Sequence, residues 1–166
     1  MRAIFCKEME TKSLLDKEKI RSFIPMRYTL TLKNGRKVRE LAPAITNLIF
    51  VHATPSAIKE VKAKTRYLQY LIDSRSKEKI IVPDSQMKCF IAVATVYHEK
   101  MVYLKPEEVD LKKGTLVRIL GGPFDGVVGV FMKVKGVRSK RVVVLLHGVA
   151  AVAIAEIEPE LIEVIS

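Results

Sequence analysis

Apolar and polar positions recur on two periods along this chain, and the switches between them mark out its elements. Ala3-Ile4-Phe5-Cys6 is an apolar run of strand length, expected to be buried. From Glu10 to Phe23, the residues Leu14, Leu15, Ile20 and Phe23 recur near helical spacing among lysines and acids, which predicts a helix that Pro25 ends. Met26, Tyr28, Leu30 and Leu32 then alternate on one face, Asn34-Gly35 suits a two-residue type I′ turn, and 36–41 returns as the second strand of a β-hairpin. Residues 48–51 read as the core of an apolar strand. Thr54-Pro55 opens a helix to about Lys64, with proline at the first helical position where its missing N–H costs nothing. Residues 68–72 and 79–82 are expected strands around the polar bend 73–77. Pro83-Asp84-Ser85 opens a last helix to about Val96, burying Met87, Phe90, Ile91 and Ala94.

The order β-α-β-β-β-α-β-β-α predicts an α+β domain over 1–96, a sheet with helices packed on it. Residues 97–112 read as a charged linker with a short strand at 101–104. Beyond Gly114 come five short β-rich runs, at 115–120, 127–134, 141–146, 150–155 and 160–165. They are too few for a sandwich and predict a small closed barrel over 113–166.

Composition narrows the function. A chain of 166 residues holds one ordinary domain or two small ones, and 49% apolar residues exclude disorder as its main state. The net charge of +11 raises the odds of a polyanionic partner without identifying it. Residues 1–104 carry 20 basic and 10 acidic side chains, and 105–166 carry 9 and 8, so the excess belongs to the first part. On the hairpin, Arg27, Lys33, Arg36, Lys37 and Arg39 face a single acid, Glu40, and form a cationic prong. Cys6 and Cys89 make no disulfide framework and are expected as buried free thiols in a reducing cytoplasm; His52, His98 and His147 are scattered, so no metal site is expected. No signal peptide opens the chain and no run approaches a membrane span, so a soluble, intracellular protein is expected, without membrane partners. Gly121-Gly122-Pro123-Phe124-Asp125-Gly126 is turn chemistry within a sheet, not a phosphate loop, and no catalytic triad or acid–base cluster stands out. Neither enzymatic activity nor a cofactor is expected.

The segment 113–129 closely resembles a KOW motif of the NusG family, carried by Gly114, the Val117/Ile119 alternation, the turn Gly122-Pro123-Phe124-Asp125-Gly126 and the closing Gly129. The first half resembles the NusG amino-terminal (NGN) domain. Arg2-Ala3-Ile4-Phe5-Cys6-Lys7 is similar to its first strand, and Phe23-Ile24-Pro25 to the element before its hairpin. Pro43-Ala44-Ile45-Thr46-Asn47-Leu48-Ile49-Phe50-Val51 is similar to the segment written roughly P-L-F-P-[GN]-Y-[LV]-[FL]-V, and Val82-Pro83-Asp84 fits the last helix. Asn47 leans towards specialised paralogues such as RfaH and the capsular-polysaccharide antiterminators. The chain departs from the family in lacking its opening Trp-Tyr and in replacing the barrel loop F-G-R-x-T-P-V by His147-Gly148-Val149-Ala150-Ala151-Val152.

The resemblance implies an NGN α/β sandwich over 1–96, a linker over 97–112 and a five-stranded KOW barrel over 113–166. It implies a monomeric transcription elongation and antitermination factor. Its first domain would dock on the clamp helices of RNA polymerase through Phe5, Ile45, Leu48, Phe50 and Tyr70. The hairpin, through Arg27, Tyr28, Lys33, Arg36, Lys37 and Arg39, would lie near the non-template DNA strand. In the family the barrel meets Rho or a ribosomal protein, and the altered loop puts both partnerships in question here. Two readings compete at each place: Ile45, Leu48 and Phe50 as docking residues or as core, and the prong as a phosphate contact or as a solvated edge kept from aggregating by its charges. A ribosome- or RNA-binding KOW protein is the alternative function; it would place the cations on the barrel, which is nearly neutral. The β-branched runs 127–128 and 142–144 argue against the refolding of the barrel into helices that RfaH undergoes.

Overall fold

The first apolar run does not continue as a strand. Strand β1 is only Arg2–Ala3, and Ile4–Cys6 turn in a single 3-10 step with Phe5 and Cys6 at φ 60° and 55°. The structure, a computed structural model, describes residues 1–73, 75–96, 101–104, 114–134, 138–146, 149–154, 157 and 159–165, and its contacts divide the chain into two units, 1–80 and 81–166. Helix α1 (Glu8–Lys17) also stops early, at Lys19 in the left-handed region (φ 56°) rather than at Pro25. Lys19 N–H donates to Asp16 O (3.0 Å) and Ile20 N–H to Leu15 O (2.9 Å), the paired bonds of a Schellman cap. Glycine commonly holds that position, so a lysine leaves no signal in the sequence. The freed residues Arg21–Phe23 form β2.

Among the described residues, strands of the first unit associate as three antiparallel pairs rather than one sheet: β1 with β6 (Leu68–Gln69), β2 with β5 (Phe50–His52), and β3 (Met26–Lys33) with β4 (Arg36–Pro43). A bridge from Arg2 to Leu48 ties β1 to the chain entering β5. Asn34 and Gly35 both take positive φ (51° and 73°), so the hairpin closes through the expected type I′ turn in the register Lys33↔Arg36. Helix α2 (Pro55–Lys64) begins where Thr54 Oγ1 accepts the Ala57 N–H (3.4 Å). Ala3, Leu15, Ile24, Ile49, Val61 and Leu68 form the core between these elements. The expected strands 68–72 and 79–82 reduce to β6 and one Ile72–Lys79 bridge, across a bend in which Asp73 Oδ1 accepts the N–H groups of Arg75 and Ser76 (2.8 Å each).

The second unit is one antiparallel sheet, ordered β12-β8-β9-β10-β11-β7. Its strands are β7 (Val102–Leu104), β8 (Thr115–Ile119), β9 (Val128–Lys133), β10 (Lys140–Leu146), β11 (Ala150–Ala153) and β12 (Ile162–Val164). All five expected runs become strands. The short run at 101–104 adds a sixth beside β11, however, and among the described residues no ladder joins β7 to β12. Among the described residues the five expected strands thus belong to a six-stranded sheet that is not clearly the expected five-stranded barrel.

Helix α3 (Asp84–Ala94) packs on β10 and β11, so the contacts group it with the second unit, whereas the sequence reading closes the first module after it. All four residues of β11 are buried, a pattern that needs cover on both faces of the strand. Phe90, Val93 and Ala94 of α3 are buried, and Phe90 meets the Tyr103 ring edge-on at 6.4 Å. With the boundary at 80, the first unit carries 18 basic and 8 acidic side chains and the second 11 and 10, so the charge asymmetry persists. Among the described residues no helix is long and apolar enough to cross a membrane.

Candidate functional site

The left-handed turn at Phe5 and Cys6 is held from two sides. Asn47, itself at φ 61°, accepts the Cys6 N–H on its Oδ1 (3.0 Å), while its carbonyl accepts the Ala3 N–H (3.0 Å). The Asn47 N–H in turn donates to Oε1 of Glu8 (2.5 Å), a carboxylate buried at the start of α1. Asparagine tolerates this conformation better than most residues and supplies an oxygen that glycine lacks. The turn leaves Phe5 73% exposed, far above what a phenylalanine held by a folded core would show. Cys6 is exposed with it and Cys89 is half-buried, so the expectation of two buried thiols is corrected: the turn projects residue 6 out of the strand that would have buried it.

The other expected docking residues separate by burial. Leu48 and Phe50 are only 5% and 8% exposed; Leu48 is bridged to Arg2, and Phe50 packs against Phe23 with ring centroids 6.4 Å apart. Both are therefore buried within the unit. Ile45 and Tyr70 are half-buried, and the ammonium groups of Lys62 and Lys79 stand 4.1 and 4.2 Å from the Tyr70 ring centroid. Phe5 is the most exposed of the five, and Lys7 and Arg66 stand 5.9 and 5.4 Å from the Tyr67 ring.

The hairpin brings its six expected residues onto one ribbon but on different faces. Register places Tyr28 opposite Leu41, Leu30 opposite Arg39 and Leu32 opposite Lys37; Arg27, Thr29, Thr31 and the Lys33↔Arg36 pair occupy the other face with Val38 and Glu40. The Lys33 ammonium bonds Glu40 (2.5 Å), and this bond, with one from Thr31, holds the Glu40 carboxyl below the usual carboxylate range. Arg39 lies 4.1 Å from the Tyr28 ring centroid, so that aromatic is engaged by a guanidinium within the ribbon. The prong is therefore two-sided.

In the second unit, Val117 and Ile119 are buried on β8, which Gly114 precedes. Gly122, Pro123 and Phe124 form a 3-10 turn; Gly122 in it and Gly126 after it have φ 69° and 75°, and Asp125 Oδ1 accepts the Gly121 N–H (2.6 Å). Gly129 is required for space: a Cβ there would stand 2.6 Å from Val142 Cγ1 and 2.9 Å from Val143 O. His98, His147, Gly148 and most of the expected linker lie outside the described residues.

Sequence reasoning missed Glu8, a charged residue at a helix start with no motif, and the two lysines beside Tyr70, which come from α2 and from beyond the Asp73 bend. Asn47 lay within a quoted motif whose alternatives, glycine and asparagine, are the residues that accept positive φ.

No curated protein matches the chain. It is similar to a solved structure titled "Domain interaction in Thermotoga maritima NusG", at 21% identity over 96% of this chain and 92% of that one, with a TM-score of 0.47. A family model described as "Transcription termination factor nusG" matches residues 1–91, which take in the Phe5 turn, the hairpin and α3 up to Ile91. On that match, over more than half its length, the chain belongs to the NusG family.

Proposed function

We propose that this chain is a transcription elongation and antitermination factor whose first unit binds RNA polymerase and whose second, KOW-like unit binds a further protein. The observation that carries the reading is the family match over 1–91, because it covers the half that holds nearly all the net positive charge. Of the docking residues expected there, Phe5 is the most available to a helical tip such as the polymerase clamp, with Ile45 and Tyr70 at the margin. The cations of the hairpin suit the non-template strand. Binding the elongating state in preference to the paused one is sufficient to shift the balance between them. The Asn47 resemblance supports a specialised, RfaH-like paralogue, and the near-neutral second unit supports a protein partner over RNA.

The test is single-round transcription by core RNA polymerase through a pause and an intrinsic terminator, with and without the full chain. Shorter pausing and greater read-through are expected. Unchanged profiles overturn the reading, and enhanced termination reverses its sign. Replacing Arg27 and Arg36 together by Ser is expected to reduce crosslinking of the chain to the non-template strand; unchanged crosslinking would return that face to a solvated edge.

A further inference from the structure

One tyrosine of the first unit holds two ammonium groups. Lys62, in the last turn of α2, and Lys79, beyond the Asp73 bend, stand 4.1 and 4.2 Å from the Tyr70 ring centroid. The two charges therefore lie within about 8 Å of each other, the sum of those distances. The Ile72–Lys79 bridge and the bond from Ile80 N–H to Leu71 O (2.9 Å) fix the approach of Lys79: a residue opposite Ile72 shares its face, and Tyr70 lies two positions back on the same one. Val61 anchors α2 in the core, and Lys62 beside it is half-buried. Among the described residues neither ammonium has a carboxylate partner, and the Tyr70 hydroxyl makes no hydrogen bond. Two nearby acids are committed elsewhere: Asp73 Oδ1 accepts the Arg75 and Ser76 amides, and Glu18 takes Lys64 at 2.7 Å. A ring attracts a cation only weakly, and like charges at this separation repel. Two cations held to one ring without a counter-charge mark a place for an anion.

We infer that Lys62, Lys79 and Tyr70 form a phosphate-binding site, in which the two ammonium groups and the phenol O–H converge on the oxygens of a phosphate ester. The donors favour phosphate over carboxylate. Lysine binds phosphate as a point charge, whereas a planar carboxylate is best matched by the arginine fork, which these three residues lack. The ring already faces two ammonium groups, so it is not free to stack a base. Recognition is therefore of the phosphate alone, indifferent to the base attached. The surplus charge of the first unit, 18 basic against 8 acidic side chains, draws polyanions towards it. The site does not depend on Phe5 and stands whether or not the chain binds polymerase.

The experiment titrates the full chain separately with a short oligothymidylate, with ATP and with polyglutamate, and reads amide NMR shifts and affinity. Shifts at the amides of Lys62, Tyr70 and Lys79 are expected with oligothymidylate, with ATP or with both. With oligothymidylate alone the phosphate belongs to a nucleic-acid backbone; with ATP it is that of a free nucleotide. Lys62→Gln with Lys79→Gln is expected to lower the affinity about tenfold and Tyr70→Phe about threefold. Lys17→Gln with Lys88→Gln, the same loss of charge at exposed lysines elsewhere, is expected to lower it less than about twofold. The first pair should leave the thermal midpoint unchanged or raise it, because it removes a repulsion. Shifts at none of the three amides with either phosphate probe, tighter binding of polyglutamate there, or equal affinity of the two double variants overturns the inference. So does a lowered midpoint of the first pair at unchanged affinity, which would make the two lysines structural.

Discussion

Asn47 joins three hydrogen bonds to a left-handed backbone, and each contribution can be separated by substitution. Asn47→Ala loses the oxygen that holds the Cys6 N–H and places an ordinary residue at positive φ, so a loss of about 1–2 kcal/mol is expected. Asn47→Gly restores the backbone freedom alone and should lie between alanine and wild type in urea unfolding. An alanine variant as stable as wild type would show that the Phe5 turn is not held this way. Asp73 offers a test by pH. Its carboxyl is held below the ordinary value of 3.8, first by the Ser76 N–H and then by the Arg75 N–H. A depressed folded value means that the bend's stabilisation is present above the unfolded pKa and is lost as pH falls through the lower, folded one. Carbon-detected NMR titration should find Asp73 titrating below an exposed aspartate of the same chain, with Arg75 and Ser76 amides losing protection only in that acid range. The bend was readable because aspartate before small polar residues is local chemistry. The Glu8–Asn47 bond was not, because it links residues 39 positions apart.

Elements whose ends are marked by local residues were readable in the sequence. The hairpin came from alternation and Asn34-Gly35, α2 from Thr54-Pro55, α3 from the Pro83-Asp84 start, and the later strands from β-branched runs between glycines. Elements ended by tertiary choices were not: β1 gives way to a turn whose Cys6 amide is captured by the distant Asn47 side chain, and α1 stops at a lysine in the conformation glycine commonly takes. Burial of Leu48 and Phe50 was one of two open readings, since an apolar strand can face a core on either side. Gly129 ties an element to its neighbour most tightly. Gly129→Ala must push β9 from β10, and a loss of about 2 kcal/mol or more is expected, read as a lower thermal midpoint. An unchanged midpoint would mean that the two strands have room the structure does not show.

At the scale of the molecule, the +11 charge resolves into a basic first unit and a nearly neutral second one, whether the chain is divided near residue 104 or at residue 80. What pattern reading could not give is the company that α3 keeps. An amphipathic helix between two sheets carries no mark of which it covers, and the buried alanines of β11 decide it only once the strand order is known. Binding to RNA polymerase remains the claim on which the functional account depends. The most direct measurement is the affinity of the full chain for core RNA polymerase, compared with Phe5→Asp, whose exposed position leaves the core intact. Asp at Leu48 or Phe50 would confound binding with unfolding. The account predicts a stable complex for the wild type and a loss of about 2 kcal/mol, roughly 30-fold, for Phe5→Asp at unchanged thermal stability. No complex, or equal affinity for the two folded proteins, would contradict it.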